Sequence, residues 1–149
     1  MKTNLDHYPR RVDANRHPKF KTLRVIYGGS TEGWAAEGRF WALNDIIGES
    51  EMCQLDLSKL RNKATIAETL GMSFEELDHF IKVLSSSDIE LIYEIKPGIY
   101  STKTIQETLE IVLVERQKAR DRRSSGEKHK SSGEKMEISD EQNDKVKES

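Results

Sequence analysis

Residues 65–103 read TIAETLGMSFEELDHFIKVLSSSDIELIYEIKPGIYSTK, and this stretch leaves few folds open. An apolar-periodic segment ends at Gly71, the residue type that enters the left-handed conformation without penalty and so closes helices. Ser73-Phe74-Glu75-Glu76 then has the pattern of a capping box, in which the serine hydroxyl takes the N3 amide and the glutamate reaches back. Met72 and Leu77 stand at the two positions of a hydrophobic staple. Three residues, 71–73, therefore separate two helices with defined ends. The second helix is expected to bury Phe74, Leu77, Ile81 and Leu84 with Phe80 beside them, and to break at Ser85-Ser86-Ser87-Asp88. Residues 90–95 alternate as a strand, Lys96-Pro97-Gly98 turns, and residues 99–101 return. Two helices on a tight turn followed by a hairpin is the order of a winged helix-turn-helix. The expected fold class is mainly α with a small β-hairpin.

The rest of the chain reads as support. A hairpin alone is marginal in water, so residues 52–57 are expected to add a third strand. Pro18 suits the first position of a helix over residues 18–27, with Phe20, Leu23, Ile26 and Tyr27 on one side. Gly28-Gly29-Ser30 ends it. A second helix is expected over residues 32–47, with Ala36, Phe40, Leu43 and Ile47 in one apolar row. Trp34 and Trp41 widen that row and are expected in the core. Gly38 is expected to admit a close neighbour. Ser58 is expected to cap a helix reaching Leu70, with Leu60, Ala64, Ala67 and Leu70 inward. Thr104-x-x-Glu107 matches a second capping box, opening a helix with Ile105, Leu109, Val112 and Leu113 inward. The apolar pattern fails after Val114. Residues 1–123 are thus expected to form the folded domain, with an N-terminal helical extension and a C-terminal helix. Residues 124–149 repeat Ser-Ser-Gly-Glu-Lys and have the composition of a disordered polar tail.

Charge is segregated along the chain. The net charge is −2, but residues 1–24 carry seven Lys and Arg against two Asp. Residues 116–123 carry five basic residues against Asp121. Residues 25–115 hold sixteen acids against seven bases. An acidic middle with basic ends fits nucleic acid held at the ends, but composition alone favours a folded domain with solvated termini.

Nothing in the chain carries catalytic chemistry. One cysteine, Cys53, allows neither an intramolecular disulfide nor a thiolate zinc site. The histidines show no metal-ligand spacing. Gly28-Gly29-Ser30-Thr31 lacks the lysine and preceding strand of a phosphate loop. Glu75, Glu76 and Asp78 fall in the first turns of one helix, where acids favour the dipole. No apolar run approaches the roughly 18 residues that span a membrane, and the N-terminus lacks the apolar region of a signal peptide. No cofactor, no enzyme activity and no membrane partner are expected, and the default location is the cytoplasm.

Nucleic-acid binding is the sharper expectation. In a helix-turn-helix the second helix enters the major groove. Here that helix carries three acids against Lys82, and carboxylates within a Debye length of phosphates are repelled. Affinity would come from other groups: Arg10, Arg11, Arg16, Lys19, Lys21 and Arg24 in the N-terminal cluster, Lys96 at the hairpin tip, Lys103 behind it, and Lys82 itself. The alternative is a protein-interaction or oligomerisation module without DNA binding, whose acidic helix faces a basic partner.

A set of loose motifs in order adds to this. Tyr8-Pro9, Asp13, His17-Pro18-Lys19-Phe20, Leu23-Arg24, Tyr27-Gly28, Glu32-Gly33-Trp34, Phe40-Trp41-Ala42-Leu43, Ile66-Ala67, Leu70-Gly71, Glu75-Glu76-Leu77 and Phe80-Ile81 resemble the N-terminal winged-helix domain of phage-type replisome organisers, related to DnaD-like replication proteins. His17 stands where that family prefers aspartate, and residues 29–33 lengthen the usual turn. The resemblance implies a winged helix acting on DNA in replication initiation or primosome assembly, with a replication protein as partner and self-association into a homo-oligomer.

Overall fold

The computed structural model describes residues 1–132. It is mostly helical, with one small antiparallel sheet. The chain divides into two units, Met1–Ile111 and Val112–Ser149. The first contains α1 (Pro18–Ile26), α2 (Thr31–Glu49), β1 (Leu55–Asp56), α3 (Leu60–Leu70), α4 (Phe74–Ser85), β2 (Tyr93–Lys96), β3 (Ile99–Ser101) and the start of α5 (Lys103–Ser132). Beyond Ile111 the helix continues through Ser132, with Gln117 donating to Asp121 one turn on. The expected boundary between residues 123 and 124 falls inside α5. Residues 133–149 of the expected disordered tail lie outside the described residues.

The three strands lie in the order β1-β3-β2, all antiparallel. Residues 52–57 thus do contribute the third strand, paired Leu55 to Tyr100 and Asp56 to Ile99. The strand is shorter than expected because Glu51–Cys53 coils into a 3-10 turn. There Met52 and Cys53 take φ of 55° and 51°, left-handed values that cost a residue with a Cβ. Side chains from afar hold this turn. Ser101 Oγ donates to the Cys53 carbonyl at 2.7 Å, and Gln106 Nε2 donates to the Met52 and Cys53 carbonyls at 3.1 and 3.0 Å. Cys53 is fully buried, its thiol 3.5 Å from the Gly48 carbonyl.

The turn between α3 and α4 forms as expected. Gly71 adopts φ 68°, and the amides of Gly71 and Met72 bond back to Glu68 and Ala67. The capping box closes in both directions, Glu76 N to Ser73 Oγ at 3.1 Å and Ser73 N to Glu76 Oε1 at 2.8 Å. Leu77, Phe80, Ile81 and Leu84 are buried on the inner face of α4. Each such side chain contributes on the order of 1.5–3 kcal/mol by leaving water.

Several local expectations are corrected. Phe74, expected inside, is 42% exposed and lies under the Lys63 amine. Ala67 and Leu70 face inward as expected, but Leu60 and Ala64 are exposed and Ile66 is the third buried residue of α3. Ser58 does not cap α3; it is held by the Asp56 carboxylate in a turn of its own. The strand after α4 starts at Tyr93, since the amides of Leu91 and Ile92 bond to the Leu84 carbonyl and Glu90 takes φ 48°. Thr102, two residues before the expected Thr104, caps α5 by accepting from the Ile105 amide at 3.1 Å. Ile26 is half exposed rather than inward.

The contact of α1 with α2 departs furthest from expectation. Gly33, not Gly38, is the residue of close approach. A Cβ at Gly33 would stand 2.5 Å from the Arg24 carbonyl, whereas one at Gly38 would meet nothing within 4 Å. Trp34, expected in the core, is 54% exposed, with the Arg24 guanidinium 4.1 Å over its ring.

Candidate nucleic-acid interface

The expected contact residues fall into three groups in the Met1–Ile111 unit. The first lies on α4, the second on the hairpin and the start of α5. Lys82 is exposed near the C-terminal end of α4, while Glu75, Glu76 and Asp78 are exposed towards its N-terminal end. Asp78 is drawn to Lys63 of α3, 2.7 Å away. Hydrogen bonding to Ser73, whose amide donates to the carboxylate, holds the Glu76 carboxyl below its ordinary value of 4.5. The positive end of this helix is therefore already occupied by carboxylates.

Lys96 ends β2 beside the Pro97-Gly98 turn. All four residues of β2 are exposed, including Tyr93 and Ile95. Lys96 shares a cavity of about 580 Å³ with Lys59, which the sequence reading missed, and with Glu51 and Asp56. Hydrogen bonds from Ser58, with Lys59 and Lys96 nearby, lower the Asp56 pKa. Two cations facing two carboxylates leave this cavity without a net pull on phosphate. Lys103 is exposed at the first position of α5.

The N-terminal cluster forms the third group. Arg10 is exposed, with its guanidinium 4.0 Å over the Trp41 ring. Arg11 pairs with Asp13 at 3.1 Å. Lys19 donates to the Glu90 carbonyl at 3.2 Å. Arg16 and Lys21 are exposed and make no ion pair among the described residues.

Arg24 is unlike the others. Only 13% of its side chain is exposed, and it forms an ion pair with Glu37 of α2, itself 6% exposed. Its other nitrogen donates to the Asn15 carbonyl at 2.9 Å. The second Glu37 oxygen accepts from the Trp41 indole at 3.3 Å. Arg24 thus ties the N-terminal segment and α1 to α2, and is not offered to a ligand.

Further long-range bonds hold the N-terminal segment on α2. Tyr8 donates to Asp45 at 2.7 Å, and burial followed by that carboxylate raises the Tyr8 pKa. The Leu5 amide bonds to the Gly48 carbonyl at 2.8 Å. Segment and helix enclose a cleft of about 380 Å³ whose lining includes Tyr8, Phe20, Trp41, Asn44 and Ile105. The sequence reading placed Trp41 in the core and passed over Asn44. One signal was available: Asn44 lies four residues after Phe40, a polar residue on an apolar row.

Among the described residues, no group of three or more His, Cys, Asp or Glu is placed to hold a metal ion. No helix there is long and apolar enough to cross a membrane. Comparison with protein-family models, with curated proteins and with solved structures returns no match to this chain.

Proposed function

We propose that the Met1–Ile111 unit is a winged helix that binds nucleic acid without enzymatic activity, and that its N-terminal basic segment, not α4, grips the phosphates. The fold reading is supported by the succession α2, β1, α3, α4, β2, β3 and by the sheet order β1-β3-β2. In this arrangement α3 and α4 form the helix-turn-helix, and β2 with β3 forms the wing. One observation carries the binding reading: Arg10 and Arg16 stand exposed on the segment fastened to α2 and Lys21 on α1, while α4 presents carboxylates where base-reading groups would sit. The motif resemblance adds a replication-accessory role on DNA, with self-association.

Fluorescence anisotropy with duplex and single-stranded DNA across a salt series tests this. Phosphate contacts from a few cations give a log affinity that falls linearly with log salt. The variant with Arg10, Arg16 and Lys21 all changed to Ala should lose most of that slope, whereas Lys82→Ala should lose little. Absence of binding to both DNAs at low salt rules the function out.

A second reading has its own support. Phe74 is exposed on α4 next to Glu75 and Glu76, and Tyr93 and Ile95 are exposed on β2. Apolar groups among carboxylates suit a basic protein partner. Under that reading the charge reversals Glu75→Lys and Glu76→Lys abolish partner capture, and the parent chain binds neither DNA at low salt.

A further inference from the structure

Asn44 is 4% exposed, and its Oδ1 makes no hydrogen bond among the described residues. A buried amide oxygen without a partner is a cost that folding alone does not repay. The same residue lines the 380 Å³ cleft between the N-terminal segment, α1, α2 and the first turn of α5. Cavities of this size lined by apolar and aromatic groups, with few polar ones, are the usual form of a small-ligand site.

Two further features narrow the ligand. Phe20 stacks on Trp41 with centroids 5.3 Å apart and planes 20° apart, while Arg10 lies over the same indole from an exposed position. Arg10 is a long, solvated side chain, so a flat ring can take its place on the indole. The lining also includes Arg10 and Arg11, together with Thr102 and Thr104 at the start of α5. The first amides of a helix have no intrahelical partner and favour an anion.

We propose that this cleft binds a nucleoside monophosphate unit. The base stacks on Trp41 where Arg10 now rests, its polar edge bonds to the Asn44 amide, and the phosphate meets Arg10 and the α5 N-terminus. Rotation of the Asn44 amide offers either its oxygen or its NH2 group, so one side chain serves donor and acceptor edges of a base. The unit is supplied either by a free mononucleotide or by one unstacked residue of a single strand. The single-strand source rests on the function proposed above; the free nucleotide does not.

The full chain is titrated with thymidine and adenosine 5′-monophosphates and, separately, with a short oligothymidylate. NMR follows the Asn44 side-chain amide and the Trp41 indole. Saturable shifts of both signals with a mononucleotide are expected. Asn44→Leu, close in volume, should bind at least tenfold more weakly while melting no lower than the parent. Arg10→Ala should bind more weakly with its fold intact, which keeps the test open should the Leu variant misfold. Mononucleotide shifts in the cleft without oligonucleotide binding support this site, with a free nucleotide as its ligand, and remove the single-strand source. Oligonucleotide binding that spares the Asn44 and Trp41 signals, and is indifferent to Asn44→Leu, removes this site and leaves the broader function standing. Failure of all ligands to move the two signals overturns the site.

Discussion

The α3–α4 turn and the α1–α2 contact are both helix pairs joined by a short glycine-containing link, yet they are held by different kinds of force. The turn at residues 71–73 is closed by neighbours: Gly71 in the left-handed conformation and Ser73 exchanging bonds with Glu76. The α1–α2 contact is closed by a buried ion pair across the interface, with Gly33 letting the Arg24 backbone in. The first device is assembled from residues within one turn of each other. The second needs the tertiary fold to bring its parts together, and stands to lose more when one part is removed.

That contrast orders the expected effects. Arg24→Ala leaves Glu37 charged, buried and short of its partner, so it should destabilise the fold by about 3 kcal/mol, the low end for a broken buried pair because Arg24 keeps some exposure. Denaturant midpoints measure this, and Arg24→Met with Glu37→Leu should recover much of the loss. A fall under about 0.5 kcal/mol for the single change would put the pair in the class of exposed surface pairs. Next in size is Gly33→Ala, which drives a Cβ against backbone and should cost roughly 1–3 kcal/mol. Gly38→Ala, in open space on the same helix, should instead stabilise by up to about 1 kcal/mol. Thermal melts of the two variants should move in opposite directions.

At the turn, Ser73→Ala removes one half of the box and should cost about 1 kcal/mol. The smallest effect is a pH dependence. The folded Glu76 pKa lies below its ordinary value, so its contribution is complete above the carboxylate range and is lost as pH falls through the lowered value. Glu76→Gln keeps a capping side chain and removes the titration. Its stability should therefore fall less steeply than that of the parent between neutral pH and acid, as read from urea midpoints at each pH.

The same division explains how much could be read from the chain. Gly71, Ser73 and the return strand at residues 99–101 are set by their immediate neighbours, and their sequence signals were legible. Thr104 and Glu107 matched a capping pattern, yet the backbone caps at Thr102. Gln106 is turned to the Met52 and Cys53 carbonyls, partners some fifty positions away that no local rule includes. Trp34 looked like core because its apolar bulk was visible and the guanidinium that covers it was not. In the candidate site the cations were legible as charges, but not which of them are occupied. Arg24 and Arg11 are distinguished from Arg16 and Lys21 only by Glu37 and Asp13. The cleft was illegible for the same reason, since Tyr8, Trp41 and Ile105 meet only in three dimensions.

Cys53 turns the seam between α2 and the sheet into a clock. It is the chain's sole thiol, it has no accessible surface, and its carbonyl is gripped by Ser101 and Gln106. A thiol reagent can reach it only when the seam parts, so the rate of labelling reads how often β3 and the start of α5 let go of the turn after α2. Because the native chain carries this reporter, the opening can be timed without introducing a foreign probe.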